Sequence, residues 1–295
     1  MESRYIGRFA ELYERQGRQI EIMDGKFWTS SGRAVIPIGP INRDYSISED
    51  QAHQLLKKFH GALMVKSTNG YGSSSCEEWY AVICDEFKDL EFYNRKHRYE
   101  VKKGLKNCKI KQVDADFIAK YGYAVYLSAF SRYQEVIKPV SEKEFIKIVS
   151  AAKDFDDIYH YWGAFYNEKF IGYFMVAIHG NEEANLSAGK VIPEYLNLNP
   201  TSALVYTLTH HYLTNLSMGY VNSGFRSIYH KTNVQHNLLT KLSYKKKSLN
   251  LLVTYNYLLK YILKFTYPFS NMIGKINHNL HTLYILEQVR QKCRA

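Results

Sequence analysis

Residues 219–246, GYVNSGFRSIYHKTNVQHNLLTKLSYKK, are the stretch that decides the fold. Their pattern predicts a short strand over 219–223, a polar loop that holds Arg226 and His230, an amphipathic helix over 233–242 and a basic-aromatic exit. Thr232 and Gln235 have capping-box spacing, which favours a helix that begins between them. An arginine and a histidine therefore lie in a loop between a core strand and a helix, where functional residues are often found.

The positive charge of the chain is concentrated near its C-terminus. The chain has 295 residues and a mass of 34.5 kDa, enough for one large domain or two modest ones. Lys and Arg outnumber Asp and Glu by 39 to 28, and +8 of the resulting +11 lies in residues 245–295, which contain one acidic residue, Glu287. A localised basic field favours a phosphate-bearing partner such as nucleic acid, anionic lipid or a phosphorylated carrier; the alternative is a solvated helical surface.

Cysteine usage and hydropathy address the compartment. The four cysteines, Cys76, Cys84, Cys108 and Cys293, lack CxxC spacing and a regular framework, so we expect reduced thiols. The N-terminal residues 1–19 are polar, and no window approaches about 20 uninterrupted apolar residues. These features predict a cytoplasmic protein, with contact at the inner face of the membrane as a further expectation. No side-chain cluster has zinc-ligand spacing, and we expect no metal.

The first half of the chain alternates strands and helices. We expect a strand within 27–40 that ends in a turn, a helix opened by a capping box at Ser48 and Gln51, and a buried strand over 61–68. A loop over 69–76, a strand over 79–87, a basic helix over 89–107 and a strand over 109–114 follow.

The second half repeats this order. Helices are predicted around 117–125 and after Ser141, followed by a hairpin over 162–179 that turns at 167–169. Pro200 marks the start of a further helix, which Gly219 ends, and a strand over 248–255 completes the half. The sequence thus predicts an α+β protein of two packed lobes, 1–113 and 114–256, with mixed sheets flanked by helices, and a basic amphipathic helical tail over 257–295.

Several segments in this order resemble one family, the FemAB-like transferases. IGPINRDY (38–45) resembles the turn near the start of these proteins, and residues 89–114 resemble their basic helix, with Arg98 and Lys102 on two of its basic positions. AFYNEKFIGYFMVAIHG (164–180) is similar to their central strand pair. LLTKLSYKK (238–246) is similar to their closing segment, with Lys241 on its lysine. The resemblance covers residues 35–260.

The resemblance implies two tandem lobes of the GNAT (acyl-CoA N-acyltransferase) type. It also implies transfer of an acyl or aminoacyl group to an amino group of a cell-envelope glycan or lipid-linked precursor. The donor would be aminoacyl-tRNA or acyl-CoA, so tRNA is a possible partner, and no cofactor would be bound tightly. Two alternatives stay open: a CoA-dependent N-acetyltransferase, and a catalytically silent GNAT-fold protein that binds a partner through its basic tail.

Two departures from the family pattern bear on the chemistry. The strand end that usually contains an acid has Asn222, so a carboxylate has become an amide. The segment LNLNPTSA (196–203) lacks the glycine-rich loop with which a CoA-dependent enzyme would bind pyrophosphate. This argues against ordinary CoA binding.

The loop residues are the first candidates for catalysis. His230 is the candidate base, because imidazole titrates near working pH, and the alternative is a hydrogen-bonded surface histidine. Arg226 would bind a phosphate or carboxylate, or form a structural salt bridge. Asn222 would hold a donor toward the reaction centre, or merely end its strand.

Further substrate-binding candidates are Arg98, Lys102, Lys241 and Tyr195. Arg98 and Lys102 are four residues apart and share a helix face, which is either a phosphate site or a solvated surface. Lys241 has the same two interpretations, and packing over the lobe is the favoured interpretation for Tyr195. In the tail, Lys260 and Lys264 lie among aromatic and aliphatic residues, as in a helix that binds anionic lipid; the alternative is a cap on the second lobe.

Overall fold

The computed structural model describes residues 2–131, 139–228 and 233–293. They form the predicted α+β structure, with two mixed sheets flanked by helices. The strands are β1 (Ile20–Met23), β2 (Lys26–Ser31), β3 (Ala34–Pro37), β4 (Met64–Asn69), β5 (Tyr80–Cys84), β6 (Lys109–Val113), β7 (Tyr159–Tyr166), β8 (Lys169–His179), β9 (Glu183–Val191), β10 (Tyr220–Phe225), β11 (Lys245–Ser248) and β12 (Asn250–Tyr255).

The α-helices are α1 (Glu2–Arg15), α2 (Glu49–Lys58), α3 (Arg95–Asn107), α4 (Ala115–Phe130), α5 (Glu142–Ser150), α6 (Pro200–His210), α7 (Asn233–Lys241), α8 (Tyr257–Thr266), α9 (Ser270–Ile276) and α10 (His278–Lys292). Short 3₁₀ turns lie at Leu90–Phe92, Pro193–Leu198 and Tyr267–Phe269, and a π-helical turn, His211–Asn215, extends α6. The tail is therefore helical, as predicted. In the described ranges no helix combines the length and the apolar character that a bilayer-spanning segment needs.

Each of two compact units is assembled from separate segments of the chain. The first contains Met1–Arg8, Val82–Gly224 and His236–Lys245, and the second contains Phe9–Ala81, Phe225–Gln235 and Lys246–Ala295. The chain passes between units at points other than 113/114 and 256/257. The consecutive lobes 1–113 and 114–256 stay a prediction.

The smaller sheet belongs to the second unit and has the strand order β1-β2-β3-β4-β12. β3 and β4 pair parallel and the other neighbours pair antiparallel. The single strand predicted within 27–40 is wrong. Gly32, with φ +58°, turns the chain, and β2 and β3 form a hairpin instead. Left-handed backbone of this kind costs glycine nothing.

The core of the second unit forms under this sheet. Trp28, Leu55 and Phe59 belong to one buried cluster, so α2 packs its apolar face on β2 and its neighbours. The predicted capping box at the start of α2 is confirmed: Ser48 accepts a hydrogen bond from the Gln51 amide, and the Gln51 side chain accepts one from the Ser48 amide.

The larger sheet has the strand order β11-β5-β10-β9-β8-β7-β6. β6 to β9 lie wholly in the first unit and pair antiparallel, and β10 pairs parallel with β9. The predicted β7–β8 hairpin is confirmed, and it turns at Asn167 and Glu168, which both have positive φ. β9, which the sequence pattern does not predict, extends this antiparallel run.

Helix α3 packs on α6 in the first unit. Asn199, with φ +59°, immediately precedes Pro200, which occupies the first turn of α6 as predicted. A Cβ atom on Gly104 would lie 2.5 Å from the Asn199 carbonyl oxygen and 3.0 Å from the Cβ of Ala203. Because Gly104 has no side chain, α3 and α6 approach more closely here than a larger residue would allow.

The prediction of four reduced cysteines is wrong for two of them. Cys76 and Cys293 form a disulfide in the second unit, with their Cα atoms 4.9 Å apart, whereas Cys84 and Cys108 are buried free thiols. The paired cysteines are 217 residues apart, so spacing along the chain carries no signal for the bond. Burial raises the pKa of the Cys84 thiol to about 11, which keeps this thiol protonated.

Candidate functional site

A cavity of about 300 Å³ lies within the second unit. β4, the residue before β5, the end of β10 with the loop after it, and α10 provide its walls. The lining residues are Lys66, Trp79, Phe225, Arg226, Ser227, Ile228 and Leu286. The volume is at the lower end of the range for ligand pockets.

Lys66 is the most unusual residue of the cavity. It sits in the middle of β4, opposite Val253 of β12, and its amino group lies 5.8 Å from the centre of the Trp79 ring. Within the described residues its amino group forms no hydrogen bond and no ion pair. The side chain is half-buried, and the desolvation that results lowers the pKa of Lys66.

Trp79 adds a second donor without a partner. Its side chain is only 2% exposed, and its indole N–H has no acceptor in the part of the chain that the structure describes. The ring stacks on Phe225 at a centroid distance of 5.5 Å, which holds it in place. A buried donor of this kind costs free energy unless an acceptor from a ligand reaches it.

Hydrogen bonds hold one of the two terminal nitrogens of the Arg226 guanidinium group. Its Nη1 donates to the Glu78 carbonyl oxygen at 2.8 Å and to Glu78 Oε2 at 2.6 Å, and its backbone amide donates to the Tyr80 carbonyl. Lys292 of α10 pairs with the other carboxylate oxygen at 2.7 Å. Hydrogen bonds from Lys292 and then Arg226 lower the pKa of Glu78, so this acid stays ionised.

Gln235 shapes the loop that carries Arg226. Its side chain donates to the Phe225 carbonyl at 2.7 Å and accepts a hydrogen bond from the Ser227 amide at 3.2 Å. The predicted capping box would have used this side chain on the Thr232 amide. Thr232 lies outside the described residues, so the capping box stays a prediction; in the described part of the chain, both polar groups of the Gln235 amide bind backbone on either side of Arg226.

The cavity is rich in donors. Lys66, Arg226 and Trp79 all offer N–H groups, and the described residues of the lining include no carboxylate. The Nε and Nη2 groups of Arg226 make no hydrogen bond to the described part of the chain. Such a site fits an oxygen-rich or anionic group: a carbonyl that develops negative charge, a carboxylate or a phosphate. The lowered pKa of Lys66 also makes its neutral form, a proton acceptor, easier to reach.

The predicted catalytic residues lie elsewhere or cannot be placed. His230 is outside the described residues, two positions beyond Ile228 of the cavity. Asn222 is fully buried in the first unit, where it donates to Glu183 Oε1 at 2.9 Å and accepts from the Gly224 amide at 2.8 Å. Tyr220 donates to the other oxygen of Glu183. The catalytic role of Asn222 stays a prediction, and its visible role is to hold the end of β10.

The other predicted substrate-binding residues also lie in the first unit. Arg98 donates to the Tyr93 and Glu91 carbonyls, which ties the start of α3 to the preceding 3₁₀ turn. Lys241 of α7 forms an ion pair at 2.9 Å with Glu100 of α3. Among the predicted residues that the structure describes, Arg226 alone lines the cavity.

Lys102 is exposed on α3, and Tyr195 accepts a hydrogen bond from Lys169 at 2.8 Å. Glu100 is two residues from Arg98 and from Lys102, about 200° around the helix, so Lys241 meets a different face of α3 from the one these two share. The substrate-binding roles of all four residues stay predictions.

Sequence reasoning missed Lys66, Trp79 and Glu183. A readable signal existed for Lys66, which is the single charge in the apolar run GALMVKST (61–68). A lone cation in a buried strand needs a partner or a function. Glu183 stands in the polar run NEEANLS (181–187), which has no pattern that marks a buried acid.

Solved structures provide the comparison, since no protein-family model and no curated protein matches the sequence. FemX superposes with a TM-score of 0.56 at 11% identity, covering 87% of this chain and 92% of its own. The C-terminal domain of a candidate lysylphosphatidylglycerol synthetase from Agrobacterium fabrum has a TM-score of 0.54 at 11% identity, covering 89% and 91%. A conserved protein of unknown function from Bacteroides thetaiotaomicron has 0.53 at 10% identity, covering 85% and 90%. The chain therefore has the α+β fold of FemX, as the FemAB-like resemblance implies.

Proposed function

We propose that this protein is an acyl or aminoacyl transferase that forms an amide on an amino group of a cell-envelope glycan or lipid-linked precursor. The shared fold makes this class of reaction the natural one to test, and one of the similar structures is named for the synthesis of an aminoacyl phospholipid. The observation that carries the proposal is the donor-rich cavity of the second unit, with Lys66 at its wall.

Amide formation needs groups of the kind that this cavity offers. The acceptor amine attacks the carbonyl carbon of an ester or thioester, the C–N bond forms, and the carbonyl oxygen becomes an oxyanion. Trp79 Nε1 and the unused N–H groups of Arg226 are donors for such an oxygen or for a nearby phosphate. Donors fixed in place before the reaction cost no reorganisation when the charge appears.

Lys66 fits the proton transfers. In its neutral form it accepts the proton that the attacking nitrogen must lose. It then returns that proton to the leaving oxygen or sulfur as the C–O or C–S bond breaks. The direction of its pKa shift favours this role, because burial disfavours the ammonium form. Neither step requires a metal or a redox partner.

The test is a transfer assay with purified protein. Radiolabelled aminoacyl-tRNA and acetyl-CoA serve as donors in separate reactions, with glucosamine and an amine-bearing lipid as acceptors. We expect amide product from one donor. We also expect Lys66→Met to lower kcat by roughly 10²-fold or more, the usual contribution of a general base.

Lys58→Met is the matched control, because Lys58 belongs to the same unit and is an exposed lysine that pairs with Glu21. Its rate should equal that of the native protein. Absence of product from every donor would contradict the proposal and favour a binding protein. Full activity in Lys66→Met would remove the lysine from the mechanism.

A further inference from the structure

Helix α8, the 3₁₀ turn after it and the start of α9 expose a set of large apolar side chains, here called the aromatic face. Leu258 is 69% exposed and Phe265 is 70% exposed. The members of the face are Tyr257, Leu258, Tyr261, Ile262, Phe265, Phe269 and Met272. On α8 they fall at positions one, two, five, six and nine of the helix, a spacing that places them on one side.

The opposite side of α8 fixes this helix to the second unit. Leu259 and Leu263 are 5% and 4% exposed, so they pack inward. Asn256 caps the helix by accepting from the Leu259 amide at 2.8 Å, and its own amide donates to the Leu63 carbonyl beside β4. The helix thus has two apolar sides, one buried and one in solvent, and the buried side already accounts for its folding.

Lysines border the aromatic face. Lys260 and Lys264 are both exposed, and Lys260 pairs with Glu49 at 3.0 Å. They belong to the segment 245–295, in which nine basic residues occur with one acidic residue. The chemistry of the face is therefore aromatic, aliphatic and cationic at once.

This combination favours one occupant over another. Protein–protein interfaces are enriched in Tyr, Phe and Met but depleted in Lys. At an anionic bilayer, aromatic and aliphatic groups enter the boundary between headgroups and acyl chains, while lysines reach the lipid phosphates. We propose that the aromatic face, with Lys260 and Lys264, binds the surface of an anionic lipid bilayer. The proposal is independent of the transferase activity.

Vesicle co-sedimentation of the intact protein tests this. Vesicles of phosphatidylcholine alone are compared with vesicles that contain phosphatidylglycerol. We expect binding to the anionic vesicles and a decrease when salt is raised, since surface charges are screened. The double variant Leu258→Asp/Phe265→Asp should lower partitioning by roughly tenfold or more, because two large side chains no longer enter the lipid.

Phe92→Asp is the matched control, since Phe92 is 65% exposed in the first unit, away from the aromatic face in sequence. It should bind vesicles like the native protein. Lys264→Glu, which leaves the apolar side chains intact, should weaken binding only to anionic vesicles. Far-UV circular dichroism establishes that each variant is folded.

Three outcomes would overturn the proposal: no binding of the native protein to anionic vesicles, equal binding by the double variant, or a dimer in solution that the double variant dissociates. The last result would assign the face to a second copy of the chain.

Discussion

Replacement of Gly104 by alanine has two opposite effects on the stability of the protein, and the structure indicates which one is larger. Gly104 lies inside α3, where intrinsic helix propensity alone predicts that alanine stabilises the protein by about 0.8–1 kcal/mol. Yet the new methyl group would lie 2.5 Å from the Asn199 carbonyl oxygen and 3.0 Å from Ala203 Cβ. Ordinary C···O contacts begin near about 3.3 Å, so α3 and α6 would have to separate by several tenths of an ångström.

The carbonyl cannot rotate away from the methyl group. It accepts the Ala203 amide at 3.2 Å and belongs to the residue that sets the start of α6, with φ +59°. Overpacking of this kind costs about 1–3 kcal/mol, and a contact with fixed backbone belongs to the upper part of that range. After the propensity gain is subtracted, Gly104→Ala should destabilise the protein by about 1–2 kcal/mol.

Gly7→Ala is the matched control. Gly7 lies inside α1, belongs to the same unit, and a Cβ atom there would meet nothing within 4 Å. This variant should be stabilised by up to about 1 kcal/mol. Urea unfolding followed by circular dichroism measures both changes, with slopes compared so that only midpoint shifts count. The reasoning fails if Gly104→Ala is as stable as Gly7→Ala, or if both variants are destabilised alike.

Three further predictions concern the disulfide, the cavity lysine and the buried carboxylate. Cys76→Ser/Cys293→Ser should lower the free energy of unfolding by about 2–4 kcal/mol, because the bond closes a loop of 217 residues; the variant should also lose the response to reductant that the native protein shows in urea unfolding. Lys66→Met should be more stable than the native protein at neutral pH. Burial lowers the pKa of Lys66, so between the folded and the unfolded pKa the unfolded chain binds more protons than the folded one. The native protein therefore gains stability as the pH rises. The advantage of the variant in urea titrations should shrink toward pH 10.5. Asn222→Asp should destabilise the protein by about 3 kcal/mol or more at neutral pH, since it replaces the donor to Glu183 with a second buried carboxyl group. Acidification should restore thermal stability, because the two carboxyl groups of the folded variant can then share a proton. A pH-independent melting temperature would contradict this.

Elements with a local chemical cause are predictable from this sequence. The capping box at Ser48, Pro200 at the start of α6 and the turn at 167–169 each fix a boundary through groups a few residues apart, and the structure confirms all three. The pair Asp24-Gly25 is a local turn signal of the same kind, although no turn was predicted there. Both residues have positive φ, and together they form the two-residue turn between β1 and β2.

Features that depend on distant partners were not predictable from the pattern. β9 is polar and short of β-branched residues, and it is a strand because β8 and β10 pair with it on either side. The disulfide joins positions that only the fold brings together. The cavity also depends on distant partners. Lys66 and Arg226 are 160 positions apart and line one cavity because the strand β4 and the loop after β10 lie in one unit.

The amide at position 222 shows how a departure from a family pattern can have a structural cause. A carboxylate at this point of the strand would face Glu183, whose two oxygens already accept from Tyr220 and from Asn222. The buried carboxyl group of Glu183 needs donors, and an amide supplies one while its oxygen still accepts from the Gly224 amide. In this chain an acid of that region, Glu183, lies on the neighbouring strand β9. The substitution alone is thus no argument that the protein lacks activity.

The second unit also connects the two proposals through one strand. β12 pairs with β4 so that Val253 is opposite Lys66, and two residues after β12 ends, at Tyr255, α8 begins with the first residue of the aromatic face. A bilayer bound by α8 would therefore lie at the end of the strand that supports the cavity wall. An acceptor held in that bilayer would reach the protein on the unit that carries Lys66 and Arg226. This arrangement favours a lipid-linked amine over a freely diffusing glycan as the acceptor. It also separates the proposals experimentally, because loss of the aromatic face should raise KM for a lipid acceptor and leave transfer to a water-soluble amine unchanged, whereas loss of Lys66 should lower kcat for both.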